Sequence, residues 1–111
     1  MPLKFIRAFN TGSIAAGDSY EKEFSTYERW KLKHVILLER GGGSLYNVQF
    51  YLKIGEDVIT RDYAPAHIFH PDSRYIVEIN KDVEPGTPIY FKLTNSESAA
   101  INVDVVFVVE E

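Results

Sequence analysis

An apolar/polar alternation with a period of two runs through most of this 111-residue chain and confines it to β-sheet structure. Across residues 45–54, Tyr46, Val48, Phe50, Leu52 and Ile54 fall on one face, and Asn47, Gln49, Tyr51 and Lys53 on the other. Ile89, Phe91 and Leu93 alternate with Tyr90, Lys92 and Thr94 in the same way. Ile101, Val103, Val105, Phe107 and Val109 form a longer stripe, whose opposite face begins polar with Asn102 and Asp104 and ends apolar with Val106 and Val108. Successive strand residues point to opposite faces, so this pattern predicts cover on both sides of the strand's second half. Trp30, Leu32, His34, Ile36 and Leu38 make a fourth stripe, with Lys31 and Lys33 opposite it. Shorter strands are expected at residues 3–9, 19–25, 57–61 and 74–79, which brings the total to eight. A helix over residues 20–33, capped by Ser19, competes for the same segment. Phe24, Tyr27 and Trp30 and the turn pair Ser25-Thr26 favour strands there.

Turn chemistry divides the strands. Gly41-Gly42-Gly43 reads as a flexible hairpin loop between two long strands, and Gly55-Glu56-Asp57 as a tight turn. Pro85-Gly86, inside a turn segment at residues 80–88, has the signature of a type II turn, and residues 95–100 read as a polar loop. Many short strands with such turns predict an all-β fold: one antiparallel β-sandwich over residues 1–111. Its two sheets are expected to pack the Tyr46/Val48/Phe50 face against the Phe91/Leu93 and Val103/Val105/Phe107 stripes. The longest aperiodic segment is residues 62–73.

Composition narrows the function. There is no cysteine, so disulfides, thiolate nucleophiles and cysteine metal sites are out of reach. Lys+Arg 12 against Asp+Glu 16 gives net charge −4, which opposes binding to duplex phosphates. The charge is unevenly spread: seven basic and five acidic residues up to position 50, five and eleven beyond it. Such a division is either ordinary surface variation or a pair of complementary faces that meet head to tail between copies. No apolar run approaches the ~20 residues of a spanning helix, and no signal-peptide pattern opens the chain, so a soluble protein is expected.

Candidate chemistry is sparse. His67 and His70, flanked by Asp62 and Asp72, are the strongest metal candidates, but Pro65 and Pro71 disfavour the helix that would put both rings on one face. No Glu follows either histidine as a general base, no serine lies in a G-x-S-x-G turn, and no glycine loop carries the Lys-Ser/Thr of a phosphate cradle. No catalytic residue, metal or cofactor is therefore assigned, and the chain reads as non-enzymatic. The informative excess is aromatic. Tyr51 and Tyr90 face outward on their strands, where they either stabilise the sheet across strands or serve a protein interface or a sugar ring. In the 62–73 loop, Tyr63, Ile68 and Phe69 need cover from the sandwich beneath or from a partner, so Tyr63 and Phe69 are expected at a contact, with His67 and His70 at its rim.

The AGDSYEKEF segment and the closing run VEPGTPIYFKLTNSESAAINVDVVFVVEE resemble small single jelly-roll proteins of virus particles, such as capsid, penton, decoration and fibre-head modules. The residues that carry this are Pro85, Gly86, Ile89, Phe91, Leu93, Thr94 and Asn95, together with the stretch 101–109. The resemblance implies a jelly-roll topology, a structural role in the virion as a homo-oligomer (a trimer or larger ring) among other virion proteins, and no cofactor or catalytic residues, while charge and hydropathy argue against nucleic-acid and membrane partners. Carbohydrate-binding jelly rolls share the pattern and imply a sugar-binding module. A cupin-like metal enzyme using His67 and His70 is the third reading.

Overall fold

The computed structural model describes residues 4–60, 64–71, 73 and 77–110, and side chains from Ile6 onward. Its strands are β1 (Lys4–Ile14), β2 (Ser19–Phe24), β3 (Trp30–Glu39), β4 (Val48–Ile54), β5 (Asp57–Val58), β6 (Ala64–Pro65), β7 (Lys81–Val83), β8 (Ile89–Asn95) and β9 (Ile101–Glu110). A 3-10 turn, Ala66–Phe69, follows β6. Among the described residues there is no α-helix, and so none long and apolar enough to cross a membrane. The segment 20–33 is β2, a loop and the start of β3, as its aromatic residues favoured.

The strands form two antiparallel sheets. One has the order β1-β9-β3-β7; the other runs β2-β8-β4-β5, with β6 also paired to β4. Between them lies a core in which Phe50, Phe91 and Phe107 are completely buried along with Leu32, Leu37, Leu52 and Leu93. Phe107 meets Phe24, Phe91 and Phe9 at ring-centroid distances of 5.4, 5.9 and 6.0 Å. β4, β8 and β9 alternate as their sequences require. β4 and β8, however, are neighbours in one sheet (Phe50 opposite Leu93, Leu52 opposite Phe91), so the Phe91/Leu93 stripe lies beside the Phe50 face rather than across from it.

Bulges account for the main departures from the expected faces. β3 gains one residue against β9 between Leu32 and His34, which reverses its parity. Trp30 and Leu32 point inward, and then Val35 and Leu37 take over, leaving His34, Ile36 and Leu38 on the outer face. β1 shifts register in the same way between Asn10 and Ser13, where Gly12 has φ 70°. That bulge lets the strand continue to a buried Ile14, beyond the expected end at residue 9. Tyr46 is not in the core. Leu45 adopts φ 59° and accepts the Val48 N–H at 3.4 Å, so a turn occupies residues 45–48 and β4 begins at Val48. Leu45 is buried instead, and Tyr46 is 68% exposed.

The connections differ too. Gly41–Gly43 joins β3 to β4, which lie in different sheets, so it is an arch across the sandwich end and not a hairpin. Gly55-Glu56 does close a hairpin, pairing Ile54 with Asp57. At Pro85-Gly86, the Thr87 N–H donates to the Glu84 carbonyl at 3.1 Å and Gly86 has φ 81°, as a type II turn requires. The expected strand at 74–79 lies partly outside the described residues. Its remainder, Val77–Ile79, follows β3 through one Ile79 N–H to Lys33 carbonyl bond, and the short strand β7 falls where a turn was expected. Asn95, expected to open a polar loop, is fully buried. Its amide donates to the carbonyls of Ile14 and Ala99 at 2.9 Å each and accepts the Glu97 N–H at 2.9 Å, tying the two sheets together.

Candidate functional site

The aperiodic segment is held by its own fold. Phe69 is 7% exposed and meets Phe50 edge-to-face at 5.2 Å, and Ala66 is fully buried. The cover for Ala66 and Phe69 therefore comes from the sandwich, and Phe69 is turned inward. Tyr63 lies outside the described residues, as do Asp62 and Asp72. His67 and His70 stack on each other at 5.7 Å, and Tyr46 stacks on His67 at 4.1 Å, making a three-ring pile on the surface. The His67 Nδ1–H donates to the Ser44 carbonyl at 2.6 Å, which fixes its tautomer. His34, the third histidine, sits on β3 with Nδ1 3.2 Å from the Val77 carbonyl. Among the described residues no three His, Asp or Glu side chains gather where an ion could be held. Among the described residues the core between the sheets is apolar, with Thr26 and Asn95 the buried polar exceptions.

Tyr51 and Tyr90 occupy the outer face of the five-stranded sheet. Register places Glu23, Tyr90 and Lys53 in one row across β2, β8 and β4, and Glu21, Lys92 and Tyr51 in the next. The two tyrosine rings meet edge-to-face at 5.9 Å, and the Tyr90 hydroxyl donates to the Glu21 carboxylate across the diagonal. Beside them is a hollow of about 400 Å³ lined by Glu23, Tyr51, Lys53, Glu56 and Tyr90, with Gly55 and Pro88 at its end.

The outer face of the other sheet is apolar. Register sets Ile6, Val108 and His34 in one row across β1, β9 and β3, and Ala8, Val106 and Ile36 in the next. The third row is Asn10, Asp104 and Leu38. Ile6 is 67% and Leu38 40% exposed, and Ala8 is exposed as well. Val106 and Val108 are half-buried, against the complete burial of Val105, Phe107 and Val109 on the inner face, so the cover expected over the second half of β9 is incomplete among the described residues. One end of the patch is closed by a polar network. The Arg40 guanidinium holds Asp104 at 3.1 Å, and the Asn10 amide donates to Asp104 at 2.9 Å and to Asn102 at 2.6 Å. The Arg40 and Asn10 hydrogen bonds outweigh partial burial and hold the Asp104 carboxyl below its usual range. Glu110 and Lys31 sit opposite one another at the other end. The sequence marked this surface only through Val106 and Val108; Ile36 and Leu38 reach it because of the β3 bulge. No family model matches the chain, and no curated protein matches it either.

Proposed function

We propose that the chain is a non-enzymatic structural protein that assembles with copies of itself as a symmetric oligomer, of the capsid-associated or decoration type its sequence pattern resembles. The observation that carries this is the apolar outer face of the four-stranded sheet: Ile6, Ala8, Ile36, Leu38, Val106 and Val108 with polar ends. An apolar centre with a polar rim is the anatomy of a subunit interface. A second copy is the occupant that fits. Both ends of the patch carry charges of both signs, Arg40 with Asp104 and Lys31 with Glu110, so a two-fold axis meets no like-charge clash. Three strands of ten or so residues present about 450 Å², hence about 900 Å² in a pair, the size of a weak, concentration-dependent contact. Weak contacts of this kind suit subunits that add to a larger shell. The jelly-roll reading is supported by the strand order. Apart from the β4–β5 hairpin and the short β6 beside β4, the chain alternates between sheets, with β1, β3, β7 and β9 in one and β2, β4, β5 and β8 in the other, as two nested Greek keys do.

Light scattering from about 10 μM to about 1 mM tests the proposal. The expected result is a mass that rises with concentration towards a closed oligomer. The double variant Ile6→Lys/Leu38→Lys should stay monomeric with its unfolding midpoint unchanged, since both side chains are already exposed. A wild type that remains monomeric at about 1 mM overturns it.

A further inference from the structure

From the opposite sheet we infer a second site, independent of the assembly surface: a shallow platform that binds neutral saccharides. Three features of the Tyr51/Tyr90 surface point to that ligand class. The first is ring geometry. The rings stand edge-to-face at 5.9 Å and 69°, and the Tyr90 hydroxyl is held by Glu21, so the aromatic surface is oriented before any ligand arrives. A pyranose presents a face of C–H groups that packs on such a ring and an edge of hydroxyls that does not. The second is the polar pattern. In the row through Tyr90, the Glu23 carboxylate stands on one side and the Lys53 ammonium on the other. A carboxylate only accepts and an ammonium only donates, and a sugar hydroxyl can serve either, so neighbouring hydroxyls are read by the pair together.

The third is charge balance. Glu21, Glu23 and Glu56 against Lys53 and Lys92 leave no positive field for a phosphate, sulfate or uronate. An apolar partner has no purchase here either, because the face alternates charge with tyrosine, in contrast to the valine-lined face of the other sheet. The hollow of about 400 Å³ lies within the range of small-molecule sites. Gly55, whose N–H is committed to the Pro88 carbonyl at 2.8 Å, adds no side chain at its end. The surface spans three strands, so it suits consecutive units of an oligosaccharide lying across them.

The test is an amide-resolved NMR titration of the wild-type protein with cellohexaose, maltohexaose, mannohexaose and chitohexaose, and with a hexagalacturonate as the anionic control, each to about 10 mM. At least one neutral hexasaccharide should shift the amides of residues 49–53 and 90–94. That binding should weaken at least tenfold in Tyr51→Ala and Lys53→Ala, and by no more than about threefold in Tyr51→Phe, which keeps the ring. Silence with all four neutral probes overturns the inference. So does binding of the hexagalacturonate alone, or shifts that map elsewhere on the protein. If Tyr51→Ala fails to fold, Lys53→Ala and the wild-type shift map decide by themselves.

Discussion

Glu39 offers a sharp test of how this sandwich closes its end. It terminates β3, and its carboxylate turns back to collect backbone donors from the Gly41–Gly43 arch and from the start of β9. Oε2 accepts the Gly43 N–H at 2.9 Å and Oε1 the Asn102 N–H at 3.1 Å, with the Gly41 N–H as a third donor. Partial burial pushes this carboxyl up, but the three N–H groups prevail and hold it below its ordinary value. Glu39→Gln preserves shape while replacing one accepting oxygen with an NH₂ group, so one of the donors loses its partner and the charge is gone from the rest. A hydrogen bond to a charged group is worth about 1.5–3 kcal/mol net, and the site is half-exposed, so the low end applies: about 1.5 kcal/mol, or a melting midpoint lower by about 6 °C at pH 7.

The pH dependence gives the result that could refute this. A carboxyl whose folded pKa is depressed contributes stability that is fully present above its unfolded pKa, about 4.3. That contribution is lost as pH falls through the lower folded value. Wild type and Glu39→Gln should therefore differ most at pH 5–7 and converge towards pH 3, in urea unfolding followed by tryptophan fluorescence. Gly41→Ala supplies a steric counterpart, because its Cβ would stand 2.9 Å from Oε2 and drive the carboxylate off its donors. The double variant should then be less destabilised than the sum of the two. A difference that stays constant from pH 7 to pH 3, or strict additivity with Gly41→Ala, would falsify the proposed role of the carboxylate.

Two further substitutions test the core and the turns. Phe107→Ala removes a ring that touches Phe9, Phe24 and Phe91, and should lower stability by about 3–5 kcal/mol in denaturant titration; a loss under about 1 kcal/mol would mean the site collapses freely. Gly55→Ala and Gly86→Ala both force a side chain into left-handed backbone, at φ 58° and 81°, for about 1–2 kcal/mol each. Gly55→Ala should be the costlier of the two, since its Cβ would meet Thr87 Cγ2 at 3.2 Å while nothing lies within 4 Å at Gly86, and the reverse order in thermal melts would contradict the turn geometry.

The all-β class and the two-sheet core were legible because hydrophobic alternation reports a strand's faces directly wherever a strand runs without interruption. β4, β8 and β9 are such strands, and their buried sets match the stripes in the sequence from Val48 onward. A bulge defeats that reading: it inserts one residue without any compositional mark, and every side chain beyond it changes face. Lys33 in β3 cost the correct placement of His34, Ile36 and Leu38, and the Gly12 bulge hid the second half of β1. Gly41–Gly43 was misread for a related reason. Three glycines announce a turn but not whether the next strand joins the same sheet, and the Glu39 side chain that organises the arch binds backbone, which carries no sequence signal.

The same limit shapes the candidate sites. Outward Tyr51 and Tyr90 could be placed from parity because their strands are regular, and the structure puts them together on one face. Phe69 could not, since apolar residues in a loop demand cover without saying whose; here Phe50 supplies it. Val106 and Val108 pose that question in its plainest form. A strand apolar on both faces is buried on both faces, and within one chain that implies a third layer. The described residues form two layers and leave the outer row of β9 bordered by an exposed Ile6 and Leu38. The hydrophobic demand written into β9 thus goes unmet inside the described fold, and the proposed pairing with an identical sheet is the arrangement that would meet it.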